Sequence, residues 1–149
     1  MNVLPNFNPF EHLKQYSLNQ SVISCEEASV AKNIPLINEL KSLILKTSNG
    51  LYVLNIPGNS KANLRLVKKT INATEAYLAD KETLEKLQVS AGTVTPLLNQ
   101  IWELPQLFSS DILLLRYIST NAGVRNKYII FEPSLFLIHP NIIIGAFTK

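Results

Sequence analysis

The sequence predicts a mixed α/β fold, a barrel-like β-sheet surrounded by short helices, and three observations carry that expectation. Two runs rich in Leu, Ile, Tyr and Val within residues 39–58 meet at Asn49-Gly50, residues that tolerate the positive φ of a hairpin turn. Helix-start signals recur along the chain, as at Ser24-Cys25-Glu26-Glu27 and at Asp80. The helices fall among short strands without strict βα alternation, which argues against a doubly wound parallel sheet. With 149 residues, 46% of them hydrophobic and 17% charged, the chain is expected to form a single domain over residues 1–149, large enough to bury a core without disulfide or metal.

In order, Asn8-Pro9-Phe10-Glu11 reads as a helix start leading to a short amphipathic turn through Tyr16. Residues 21–23 suit a brief strand. Ser24 then opens a second helix in capping-box spacing, which Pro35 ends. The hairpin follows, and Pro57-Gly58-Asn59-Ser60 closes its second strand. Over residues 63–71, Leu64, Val67 and Ile71 recur at helical spacing, with Lys61, Arg65, Lys68 and Lys69 on or beside the remaining surface. Residues 75–78 suit a strand and Asp80 caps a helix through Leu84 and Leu87. Residues 91–96 are too broken for a regular element. Further strands are expected over 100–103, 114–119 and 127–131, and an apolar tail over 135–147 should pack on the body.

The composition narrows the function classes. A net charge of +3 is compatible with a polyanion such as RNA without demanding one. One cysteine, Cys25, excludes an internal disulfide, and the N-terminal residues lack the pattern of a secretory signal, so a cytoplasmic location is expected. No apolar run approaches the roughly 20 residues of a membrane-spanning helix. Two histidines, His12 and His139, and the single cysteine make a zinc site and a Cys-His or Ser-His-Asp mechanism poor expectations.

One residue is out of place. Side chains alternate along a strand, so Lys41 falls in the row of Leu43 and Leu45. It reads either as an ordinary strand-end lysine reaching for water or as the occupant of a polar cavity on that side.

Three segments, taken in order, resemble the YbaK and prolyl-tRNA editing (ProX) family of aminoacyl-tRNA deacylases. The first runs from Ser24-Cys25-Glu26-Glu27-Ala28-Ser29 into Leu40-Lys41-Ser42-Leu43-Ile44, similar to a Glu-Ala-Ala helix leading to a strand lysine. The second, Gly92-Thr93-Val94-Thr95-Pro96, is similar to the family's G-x-x-x-P loop. The third is Asn121-Ala122-Gly123-Val124-Arg125 with the later Pro133-Ser134-Leu135. Departures are Ser42 for threonine, Ser29 for the second alanine, Ala91 in place of a paired glycine, and Asn126 for a glycine.

The resemblance implies hydrolysis of the ester joining an amino acid to the terminal adenosine of tRNA, performed in trans. A second site of this kind is needed where a methylene difference, worth about 1–3 kcal/mol, cannot be rejected by binding alone. It implies a catalytic role for Lys41, which would hold the carbonyl, ribose or a phosphate. The backbone of Gly92, Thr93, Val94 and Thr95 would supply an oxyanion hole. Pro96, Asn121, Ala122 and Gly123 would hold the substrate, and Lys61, Arg65, Lys68 and Lys69 would meet the acceptor stem, though a basic helix side is also simply a solvated surface. The implied partners are mischarged aminoacyl-tRNA and, as a second candidate, an aminoacyl-tRNA synthetase, with no cofactor, metal, membrane or DNA. The other reading is a catalytically inactive tRNA- or synthetase-binding module of the same fold.

Overall fold

The structure is a computed structural model describing residues 7–149; Met1–Asn6, part of the segment inspected for a secretory signal, lie outside the described residues. Its centre is a hairpin of β2 (Leu40–Thr47) and β3 (Gly50–Pro57), paired in register from Leu40 opposite Pro57 to Thr47 opposite Gly50. Gly50 takes φ +107°, the backbone region the turn needs and most residues avoid. β4 (Ala76–Leu78) pairs antiparallel with β2, while β5 (Gln106–Ser109) and β8 (Ile142–Gly145) extend the sheet in parallel beyond β3. The five-stranded order is β4-β2-β3-β5-β8. A three-stranded antiparallel sheet of β1 (Tyr16–Ser17), β7 (Lys127–Phe131) and β6 (Ile118–Asn121) lies against it, joined by a parallel bridge between Glu39 and Ser119. This is the mixed α/β architecture that the sequence predicts.

The large sheet has two covered faces. On one, Leu45, Leu54, Ile56 and Leu107 pack with Val67 of α2 (Leu64–Ile71) and with Phe147. On the other, Ile44 and Val53 meet Val89 and Ile101, the latter in the short α4 (Asn99–Trp102), while Leu40 and Phe108 join an aromatic cluster. α1 (Cys25–Lys32) begins at Ser24, whose hydroxyl accepts the Glu27 N–H while the Glu27 carboxylate accepts the Ser24 N–H. α3 (Lys81–Lys86) is capped by Asp80. Both caps are where the sequence puts them.

Four expectations are corrected. Residues 8–16 form no helix: Asn8 is buried, and its side chain donates to the Pro96 and Leu97 carbonyls and accepts the Phe10 N–H. Phe10 stacks edge-on against Trp102, Phe131 and Phe136 at 4.8–5.4 Å, so tertiary packing overrides the local helix signal. Residues 21–23 make no strand; the Val22 N–H donates to the Arg125 carbonyl at 2.8 Å. Residues 100–103 fall in and just after α4, where the Ile101 and Trp102 N–H groups both return to the Leu98 carbonyl. The strand over 114–119 is displaced to Ile118–Asn121 by a 3₁₀ turn at Ser110–Leu114.

Candidate active site

Because β4 covers only Leu45–Thr47, the first half of β2 has an open edge. In the ladder with β3, Glu39 directs its carbonyl to the Gly58 N–H, whereas the Ile44 carbonyl turns outward to the Ala79 N–H at 2.9 Å. Alternation therefore turns the peptide groups of Leu40 and Ser42 outward too. The Leu40 carbonyl meets the Cys25 thiol at 3.9 Å, and among the described residues the Ser42 peptide has no strand partner on this edge. A cavity of about 410 Å³ runs along this edge.

Lys41, Gly92, Val94 and Asn121, assigned to the site from sequence and widely separated in it, all line this one cavity. Lys41 does lie in the row of Leu43 and Leu45, but it stands beyond the apolar cluster those leucines join, half-buried, with its ammonium donating to the Ser60 carbonyl at 2.9 Å. The loop after α3 also lines the cavity. Gly92 has φ +86°, and a Cβ there would sit 3.0 Å from the Ile23 Cα, so both conformation and close approach require glycine.

The loop is held from the β6–β7 hairpin. Asn121 Nδ2 donates to the Val94 carbonyl at 3.0 Å and its Oδ1 accepts the Gly123 N–H. Arg125 donates to the Ala91 carbonyl at 2.9 and 3.3 Å and to Ser90 Oγ at 3.2 Å. Within the loop the Thr93 N–H is already committed to the Ser90 carbonyl, and Thr95 is buried with its hydroxyl accepting the Leu97 N–H. Gly92 and Val94 line the cavity, and their N–H groups have no hydrogen-bond partner among the described residues. Pro96 is buried and takes the Asn8 amide on its carbonyl. Ala122 and Gly123 shape the hairpin turn, Gly123 at φ +90° against Leu98, and do not line the cavity.

Lys61, Arg65, Lys68 and Lys69 are not brought to the cavity wall. α2 packs on the face of the large sheet that carries Leu43 and Leu45, with Arg65 and Lys69 exposed and Lys61 directly following Ser60. Lys127 of β7 lines the cavity in their place.

Sequence reasoning missed a charged pair in this wall. Lys32, in the last turn of α1, and Glu39, before β2, meet at 2.9 Å with both side chains 2% exposed. Burial lowers the Lys32 ammonium below its ordinary value and raises the Glu39 carboxyl above its own, each only partly offset by the other's charge. The Cys25 thiol is pushed up to about 11, first by burial and then by the Glu39 charge, which keeps it protonated at neutral pH and removes it as a nucleophile. In sequence the pair is only a lysine ending a helix and a glutamate before a strand, which gives no local signal of burial.

The sequence profile of the aminoacyl-tRNA editing domain matches residues 20–136. The chain belongs to the aminoacyl-tRNA editing domain family. Among solved structures, a proposed trans-editing enzyme for prolyl-tRNA synthetase is similar at 20% identity, with a TM-score of 0.84 over 95% of this chain and 90% of that one. A scaffold protein from computational epitope grafting matches at 21% identity and TM-score 0.81, over 94% and 88%. A hypothetical protein matches at 16% and 0.83, over 92% and 91%. These likenesses establish the fold. No curated protein matches the sequence. Among the described residues, no helix is long and apolar enough to cross a membrane, and no group of three or more His, Cys, Asp or Glu side chains could hold a metal ion.

Proposed function

We propose that the protein is a trans-editing aminoacyl-tRNA deacylase, which hydrolyses the ester of a mischarged tRNA at the β2 edge. The observation that carries the proposal is that Lys41 and the loop residues Gly92 and Val94, about fifty positions apart in sequence, line one cavity. Editing-domain membership supplies the substrate class, and the likeness to a proposed trans-editing enzyme supports action in trans.

Water adds to the ester carbonyl carbon, and the carbonyl oxygen becomes an oxyanion that the Gly92 and Val94 N–H groups receive. Each such donor is worth about 100-fold to 1000-fold in rate. The C–O bond to the ribose then breaks. The ribose oxygen leaves as a hydroxyl, and the amino acid leaves as a carboxylate plus a proton. The substrate's own vicinal ribose hydroxyl or α-amino group relays that proton. Lys41 positions the carbonyl or the terminal phosphate as a point charge, exchanging its bond to the Ser60 carbonyl for one to the substrate. Asn121 and Arg125 act through the loop, fixing where its N–H groups point. Lys61, one residue after Ser60, and the basic side of α2 beyond it offer phosphate contacts to the acceptor stem.

The test is release of amino acid from a panel of purified aminoacyl-tRNAs by the wild type and by Lys41→Ala. Release from at least one charged tRNA, reduced at least tenfold by the substitution, is expected. Binding without release by the wild type would show the inactive tRNA- or synthetase-binding module instead.

A further inference from the structure

The deacylase mechanism gives no task to the Lys32–Glu39 pair, although both residues line the cavity. Lys32 is saturated. Its ammonium donates to Glu39 Oε2 and to Ser119 Oγ, each at 2.9 Å, and lies 4.6 Å from the centre of the Tyr128 ring. Glu39 is not. Its Oε1 is buried and has no hydrogen-bond partner among the described residues. A buried pair with one oxygen unmet is a poorer structural element than two apolar side chains of similar volume, so packing alone gives no reason for it.

The chemistry of the wall narrows what that oxygen is for. Of the two carboxylates lining the cavity, Glu26 is exposed to water, leaving Glu39 as the desolvated acceptor. The cations of the wall are Lys32, already matched, and Lys41 and Lys127, which suit the carbonyl and phosphate end of the substrate. An aminoacyl ester of adenosine carries one cation of its own, the α-ammonium. In a site of low dielectric a carboxylate discriminates strongly between that ammonium and a neutral amide. Oε1 is closed to solvent, so receiving a ligand requires the Glu39 side chain to shift toward the cavity it lines.

We propose that Glu39 is a specificity-determining residue whose free carboxylate oxygen receives the α-ammonium of the aminoacyl group. The site then takes esters with a free amine and rejects N-acylated ones, such as formylated or peptidyl esters. The inference rests on the deacylase reading for where the substrate sits.

The experiment compares two hydrolysis-resistant amide analogues of aminoacyl-adenosine, one with a free and one with an N-acetylated amine, by calorimetry at pH 7. They are built on the amino acid released fastest from the tRNA panel, or on alanine if none is released. Wild type should bind the free amine roughly 10- to 100-fold more tightly, the range of a hydrogen bond to a charged group. Glu39→Gln should bring the ratio close to one. The Lys32→Met/Glu39→Met protein, which leaves no unmatched charge, should do the same should Glu39→Gln fold poorly. A wild-type ratio near one, a ratio that survives both variants, or an equal weakening of both analogues overturns the inference; the last assigns Glu39 to a ribose hydroxyl or to the framework. The deacylase reading is judged separately by release from charged tRNA.

Discussion

Lys32→Met removes the cation from a pair whose side chains are both 2% exposed, and leaves Glu39 with neither oxygen partnered in a wall it cannot leave. Breaking a buried pair from one side costs about 3–5 kcal/mol. For a chain of this size that corresponds to a fall in Tm of roughly 6–20 °C. Lys86 and Glu82 provide the control within the same molecule: they meet at 3.6 Å with side chains 75% and 76% exposed, and Lys86→Met should cost below about 0.5 kcal/mol. The double variant Lys32→Met/Glu39→Met should return to within about 1 kcal/mol of wild type or exceed it, since apolar replacements of a buried pair are often neutral or stabilising. The pH dependence has a definite sign. Folding raises the Glu39 carboxyl above its unfolded value, so its favourable contribution is present below the unfolded carboxylate range and lost as pH rises through the folded value. Removing Lys32 accentuates this, and the Lys32→Met penalty should shrink between pH 7 and pH 5. Urea unfolding of the four proteins at the two pH values, with m-values compared, measures all of it. A Lys32→Met penalty no larger than that of Lys86→Met would refute the argument.

Gly92→Ala forces a Cβ to 3.0 Å from the Ile23 backbone at φ +86°; we expect a loss of about 1–3 kcal/mol and at least a tenfold fall in deacylation, read by unfolding and by amino-acid release. His139 is buried and neutral, accepting the Asn141 N–H on Nδ1 and facing the Trp102 carbonyl through Nε2, and burial lowers its pKa. Its contribution is present above the ordinary histidine value of about 6.5 and lost as pH falls through the folded value; the fall in stability on acidification should be shallower in His139→Gln. Arg65→Ala and Lys69→Ala should weaken tRNA binding and each reduce its salt slope by about one if the exposed side of α2 meets phosphates. An unchanged slope would leave that surface without a role.

The parts of the fold written in short-range chemistry were legible. The Asn49-Gly50 turn, the Ser24 capping box, the Asp80 cap and the alternation of β7 depend on neighbours in sequence, and all occur where expected. β5 was not legible because it is buried along its whole length between two parallel neighbours, so its residues do not alternate. Gln106 disguises it further: its polarity reads as surface, yet its amide donates to the Ile101 and Leu104 carbonyls and its oxygen accepts from Asn55. The cavity residues Lys41, Gly92, Val94 and Asn121 were found through a pattern of residue types. Lys32 and Glu39 were not, because a lysine ending a helix and a glutamate before a strand look like surface residues until the chain brings Ser119 and Tyr128 over them.

The open edge of β2 accounts for the residue that first looked misplaced. An unpaired strand edge invites association with other chains and is normally covered. Here the cover is incomplete by construction: β4 reaches only Leu45, α1 closes the start of the strand through the Cys25 contact, and the loop at Gly92 leans in from the side. Between them the Ser42 peptide is left facing the cavity, with Lys41 at one end and the Ile44 carbonyl, already taken by Ala79, at the other. Residues from both faces of the sheet can therefore reach one cavity, which a strand paired along both edges would forbid. The row containing Lys41 is apolar only as far as α2 covers it, from Leu43 onward, and the lysine stands where that cover ends.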